Sequence, residues 1–299
     1  MKIFMTGATG YIGGTIARRL LDDGHEIRGL VRDAEKGRKL AVFGVEPVMG
    51  GLDDAAILSA EARRADAVVN TANSDHRGAI DAFLEALAGS NKPFLHTSGS
   101  SIVADDAHGD AASERIYDEE TPFEPVPGKQ ARVAIDRMIR DASRRSVRAI
   151  VLCPTMIYGN GLGLARDSAQ IPGLAKRAKA SGVVRHVGKG LNIWSNVHVE
   201  DVADLYRLAL QKAPAGAFYF AENGEASYRD ICSAIARRLT LGDPQAWPFE
   251  DAARELGENS AAYTFGSNSR VRARRARSEL GWQPKHGSAT EWIEAELPL

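Results

Sequence analysis

A glycine-rich turn stands near the start of the chain. Thr6-Gly7-Ala8-Thr9-Gly10-Tyr11-Ile12-Gly13 follows the apolar run Ile3-Phe4-Met5 and opens a segment of helical apolar spacing. A strand that passes into a helix through glycines at this spacing constrains the fold more than any other feature. The first glycine permits a tight turn, the second lets the backbone approach a pyrophosphate, and the third lets helix pack on strand. Unpaired amides and the dipole at the helix N-terminus then favour an anion. Gly7, Thr9, Gly10, Tyr11, Ile12 and Gly13 are therefore expected to hold a dinucleotide.

The pattern continues beyond the turn. Short apolar runs over 3–6, 26–31, 46–49, 67–71 and 94–98 alternate with helical stretches over 11–23, 34–43, 54–64 and 78–89. A further strand over 149–153 follows an amphipathic helix over 132–144. Such alternation predicts an α/β chain: a Rossmann-type doubly wound parallel sheet, with a smaller C-terminal substrate domain. The first domain spans 1–160, with about 195–222 returning to it, and 161–299 forms mainly the second. Between 99 and 128 runs a long acidic connection ending in Pro122, Pro125 and Pro127. A connection of that length is either functional or a solvated flap. The arginine run 270–277 reads as the solvated face of a helix ending at Gly281.

The end of the second strand chooses the cofactor. An acid there bonds the ribose 2′-hydroxyl of NAD, whereas an Arg accommodates a 2′-phosphate. Arg32 and Lys36 stand at that point, so NADP(H) is preferred and NAD(H) remains possible, because Asp33 is adjacent. Leu52, Ala72 and Asn73, after the third and fourth strands, complete the expected cofactor set.

The loop Thr6-Gly7-Ala8-Thr9-Gly10-Tyr11-Ile12-Gly13-Gly14 resembles the TGxxGxxG fingerprint of extended short-chain dehydrogenases/reductases, the NAD-dependent epimerase/dehydratase group. Similar matches run in order along the chain. They include Leu95-His96-Thr97-Ser98, Cys153-Pro154-Thr155-Met156-Ile157-Tyr158-Gly159, Trp194-Ser195-Asn196-Val197-His198-Val199-Glu200-Asp201-Val202-Ala203 and Ser278-Glu279-Leu280-Gly281-Trp282-Gln283-Pro284. The resemblance implies a Ser or Thr after the fifth strand and a Tyr-x-x-x-Lys on the next helix. It also implies that the Tyr exchanges a proton with the substrate oxygen as hydride moves. Here Gly99 takes the Ser/Thr position, while Gly128 and Arg132 take those of Tyr and Lys. Using Lys129 as the Lys places Pro125 where the Tyr belongs. The expected Gly-Asp-Leu after the third strand is Gly50-Gly51-Leu52. This combination resembles an atypical member that lacks the usual Ser/Thr-Tyr-Lys set.

Hydride transfer to a carbonyl develops negative charge on oxygen, so a donor must be sought elsewhere. Ser98 and Ser100 at the strand end either hold that oxygen or bond local backbone. Lys129 and Arg132 either face the nicotinamide ribose or are solvated helix residues. Tyr158 is expected to pack and His198 to be structural, while Trp194 either packs near a substrate or joins a satellite cluster.

A net charge of −1 gives no reason to expect nucleic acid or an anionic membrane as partner. Two cysteines supply neither a disulfide framework nor metal spacing, so no metal is expected. No signal peptide or spanning segment is legible, which points to a cytoplasmic monomer or homodimer acting on a small-molecule substrate. The expected function is an NADP(H)-binding oxidoreductase acting on a small carbonyl or alcohol with a non-standard proton donor. A catalytically silent sensor and a sugar-nucleotide epimerase or dehydratase are the alternatives.

Overall fold

The computed structural model describes residues 1–298. Its strands are β1 (Lys2–Thr6), β2 (Glu26–Val31), β3 (Glu46–Met49), β4 (Ala67–Asn70), β5 (Pro93–Thr97) and β6 (Arg148–Pro154), then β7 (Met156–Tyr158), β8 (Arg185–Val187), β9 (Ile193–His198), β10 (Ala217–Ala221), β11 (Glu225–Ser227) and β12 (Gln245–Trp247). Seven of them form one sheet in the order β10-β6-β5-β4-β1-β2-β3, and every pairing within it is parallel. Every residue of β4, β5 and β10 is buried, as a parallel sheet covered on both faces requires. The smaller sheets are β11-β9-β7 and β12-β8.

The first helices are α1 (Tyr11–Asp22), α2 (Ala34–Phe43), α3 (Ala55–Arg64), α4 (Arg77–Leu87) and α5 (Gln130–Asp141). Two later ones, α6 (Ile171–Ser181) and α7 (Val199–Lys212), follow the central strands. The chain winds outward from β1 to β3, then returns to the other side of β1 as β4. Right-handed crossovers therefore place the helices before and after that reversal on opposite faces. The crevice at the carboxyl ends of β1 and β4 is where such sheets bind ligands.

Of the segment 195–222, residues up to 198 lie in the smaller β11-β9-β7 sheet, and the rest packs on the main one. Strand β10 pairs with β6 through Phe218 and Val151, and α7 packs beside α1. Residues 197 and 198 belong to β9, so the helix starts at Val199 with His198 as its cap. Helix α5 begins two residues before the expected 132, because a 3-10 turn over Pro127–Lys129 runs directly into it.

The acidic connection is not a solvated flap. Asp105 accepts bonds from Asn268 N at 2.8 Å and Nδ2 at 2.9 Å. Glu119 accepts bonds from Phe220 N at 3.1 Å and Arg275 N at 3.3 Å. Tyr117 bridges to Val271. These acids supply acceptors that buried backbone amides would otherwise lack.

The arginine run is partly exposed, as expected of a solvated face, but its charges are paired. Arg270 and Arg272 pair with Glu225, Arg274 with Asp118, and Arg277 with Glu222. Only Arg274–Leu280 is helical, since Val271 stands in the bridge to Tyr117. A second hydrophobic cluster, separate from the sheet core, gathers Met156, Tyr158, Ile171, Trp194, Tyr228 and Trp292.

Candidate active site

The phosphate turn is tight enough to require its glycines. Gly7 has φ +78, and a Cβ on Gly13 would lie 2.3 Å from the Gly7 carbonyl oxygen. Gly10 N donates to Gly7 O at 2.8 Å, and Gly10 is the N-cap of α1. Tyr11 Oη donates to Gly159 O at 2.8 Å, and Leu162 N donates to Thr15 Oγ1 at 3.1 Å. The segment after β7 is thereby fastened against the start of α1.

A cleft of about 460 Å³ opens from this turn along the ends of β2 and β3. Gly7, Thr9, Arg32, Lys36, Leu52, Ala72 and Asn73 line it, as do Gly51, Asp53 and His76. Gly10, Tyr11, Ile12 and Gly13 form the cap and first residues of α1 beside it. The backbone cradle and the cations beside it fit a dinucleotide.

Asp33 also lines the cleft, with one of its carboxylate oxygens engaged. Its Oδ1 accepts Lys36 N at 2.7 Å and caps α2. Gly51 presents no carboxylate, and a Cβ there would lie 3.6 Å from Arg32 Cδ. The aliphatic stem of Arg32 therefore runs past a residue with no side chain. His76 Nδ1 accepts Ala79 N at 3.1 Å, which leaves Nε2 to donate to Asp53 Oδ1 at 3.1 Å.

On the other side of β1, the ends of β4 and β5 carry a second polar group. Arg132 grips Asp75 with two bonds, Nε to Oδ1 at 2.8 Å and Nη2 to Oδ2. Its Nη1 also donates to Ser101 Oγ at 3.4 Å, and a Cβ on Gly99 would lie 3.5 Å from that nitrogen. The hydrogen bonds from Arg132 hold the Asp75 carboxyl below its ordinary range. Burial, then repulsion by Arg132, pushes the Lys129 ammonium down.

The expected serines face inward. Ser98 Oγ donates to Asp136 Oδ2 at 2.6 Å, and Ser100 Oγ accepts Ser269 Oγ at 2.9 Å. Ser98 is 6% exposed and Ser100 1%. Asp136 Oδ1 has no partner among the described residues. Burial raises the Asp136 carboxyl to about 7, outweighing the Ser98 bond and the attraction of Arg132. His96 Nδ1 meets Asn70 Nδ2 at 3.0 Å, and burial takes this imidazole down to about 4.

The structure thus brings Lys129 and Arg132 together and gives Ser98 and Ser100 internal partners. Asp75, Ser101 and Asp136 escaped the sequence reading. Asp136 was the accessible one, because it follows Arg132 by four residues on a single helix face. Tyr158 is buried with its hydroxyl on His286 O, His198 caps α7, and Trp194 joins the second cluster.

The profile of the NAD dependent epimerase/dehydratase family matches residues 3–219. The chain belongs to that family. It is 28% identical to a 3-diazoavenalumate denitrifying reductase of a Streptomyces species, covering 99% of this chain and 100% of that one. It is 30% identical to a 2-alkyl-3-oxoalkanoate reductase of Stenotrophomonas maltophilia, covering 75% and 71%. Among solved structures it resembles a dTDP-glucose 4,6-dehydratase from Streptomyces venezuelae with NAD and TYD bound. That match has a TM-score of 0.78 at 18% identity and covers 98% and 95% of the two chains. Family and relatives make the protein an NAD(P)-dependent enzyme of the oxidoreductase type. Among the described residues no His, Cys, Asp and Glu gather as a metal site, and no helix is long and apolar enough to cross a membrane.

Proposed function

We propose that this family member is an NADP(H)-dependent reductase of small carbonyl compounds. The carrying observation is the β2 end of the cleft. Arg32 and Lys36 line it, Gly51 adds no acid, and Asp33, which also lines it, has its Oδ1 turned to the cap of α2. A dianionic 2′-phosphate suits that arrangement, since guanidinium and ammonium groups bind phosphate through charge-assisted bonds. A ribose hydroxyl would find only the second oxygen of Asp33, Oδ2, since Oδ1 is engaged by Lys36 N.

Bound there, the reduced cofactor supplies hydride to a carbonyl carbon. The protein's share is to hold the carbonyl and meet the charge that develops on its oxygen. The nicotinamide half belongs over β4 and β5, across the switch point from the adenine half. Arg132, steadied by Asp75, presents a fixed cation next to the space above Gly99. It cannot give up a proton itself. The smaller C-terminal part, 161–299, is read as the substrate side of the cleft. Two relatives named for reductions favour turnover over a silent sensor.

Titration with NADPH and NADH by fluorescence tests the cofactor reading. Arg32→Asp is expected to weaken NADPH by roughly 10- to 100-fold, the equivalent of one charged hydrogen bond, with NADH changed little. An Arg32→Asp protein that still prefers NADPH sinks it.

A further inference from the structure

Helix α5 carries no tyrosine, but the far end of the chain delivers one to its start. Residues Ala261–Phe265 form a π-turn, and it presents the Tyr263 ring to Gly128. A Cβ on Gly128 would lie 2.9 Å from Tyr263 Cε2, 3.5 Å from Cζ and 3.6 Å from Oη. The ring therefore occupies the room that a larger residue at 128 would need. Lys129 Nζ stands 5.1 Å from the centre of the same ring. Lys129 in turn lies within the fields of Arg132 and Asp75, so the phenol, the ammonium and the Arg132–Asp75 pair form one cluster.

The state of the other phenols sharpens the point. Tyr11 and Tyr158 donate to backbone carbonyls, as does Tyr228 to Thr264 O. Tyr206 is bonded to Thr97 and Tyr219 to Glu279. Tyr117 Oη likewise has no bond to a described residue, but its ring lies under Arg115 with Phe123 at its edge, and no lysine is stacked on it. Tyr263 is half-buried, and its hydroxyl has no bond to a described residue. A free phenol beside a partly desolvated ammonium is the combination that proton donation to an oxyanion needs.

We propose that Tyr263 is the proton donor of the reduction, with Lys129 as the cation that stabilises its phenolate. The inference rests on the carbonyl-reductase reading above. In the step, the carbonyl carbon gains a hydride, with its electron pair, from the reduced nicotinamide. The carbonyl π bond breaks toward oxygen, that oxygen takes the Tyr263 Oη proton, and an alcohol results. The phenolate regains its proton from water.

Two measurements on the full chain test this, with Tyr263→Phe as the variant, because phenylalanine keeps the ring against Gly128. In the first, tetranitromethane nitration is mapped by mass spectrometry with and without saturating NADP⁺. Tyr263 should be nitrated in the free protein and protected several-fold by NADP⁺, with Tyr117 unaffected. In the second, NADPH oxidation is followed with 4-nitrobenzaldehyde. Tyr263→Phe should lower kcat by roughly 10²- to 10⁴-fold while the fluorescence Kd for NADPH stays the same. Lys129→Met should lower kcat by a smaller factor. Unchanged nitration of Tyr263 at saturating NADP⁺ overturns the proposal, whether or not the aldehyde is a substrate. So does a Tyr263→Phe enzyme of wild-type kcat. Absence of any NADP(H) binding overturns the reductase reading itself, and the missing fluorescence change tells that failure apart.

Discussion

Gly13→Ala is expected to lose most of its affinity for NADP(H) and to unfold at distinctly lower urea. The added methyl would lie 2.3 Å from both Gly7 O and Thr71 Oγ1, and 2.7 Å from the Gly7 carbonyl carbon. Two of these atoms are backbone, so no side-chain rotation relieves the overlap. Relief requires α1 to move away from the turn, or the turn to move away from β4. Overpacking of this kind costs about 1–3 kcal/mol of stability, occasionally more. The cofactor site suffers further, because the displaced carbonyl belongs to the turn whose amides would face the pyrophosphate. Loss of a single charged hydrogen bond weakens binding by about 10-fold or more. Gly173→Ala is the matched control. Gly173 lies inside α6, and a Cβ there meets nothing within 4 Å. Alanine at that position should raise stability by up to about 1 kcal/mol through helix propensity. Urea unfolding with NADPH titration on both variants decides the matter. A Gly13→Ala protein that tracks the control in stability and affinity refutes the close-packing argument.

The same contrast explains what the sequence could reveal. Strands β2 and β3 and helix α2 fall where the apolar period places them. Their signals are local: a run of apolar residues, a cap at Asp33, a left-handed glycine at φ +100. The candidate cofactor cleft was legible for the same reason, since its wall is made of strand ends and the turns that follow them. The Arg132–Asp75 pair was not legible, because its members are 57 residues apart and meet only when β4 and β5 align. Tyr263 against Gly128 is a more distant case, set by how the C-terminal segment folds back. Ser98 and Ser100 show another limit. Periodicity places a residue at the end of a strand, but not the direction its side chain takes once the chain leaves the sheet. Here Asp136 and Ser269 claim those hydroxyls. The acidic connection looked solvated because its charges are dense, and only the fold reveals the buried amides they serve.

Asp136→Asn is expected to stabilise the protein at pH 8 far more than at pH 4. Asp136 is 4% exposed, and burial raises its carboxyl from 3.8 to about 7 in the folded state. Between those values the native protein holds a proton that the unfolded chain has already released. Stability therefore falls as pH rises through this window, and levels off above pH 7, where both states are ionised. At 1.36 kcal/mol per pH unit, the full fall is on the order of 4 kcal/mol. Asparagine is neutral throughout and keeps an acceptor for Ser98 Oγ, so the variant should lack this descent. Any constant penalty from the buried amide enters at both pH values and cancels in their difference. Urea unfolding of both proteins at pH 4 and pH 8 gives that difference directly. Two stability curves that run parallel across the range would show that the Asp136 carboxyl titrates alike in the folded and unfolded chains. The consequence would reach the site as well. A carboxyl that stays neutral to about pH 7 leaves Asp75 as the counter-charge to Arg132, whereas one ionised throughout would add a second negative charge on the same helix and weaken Arg132 as an oxyanion partner.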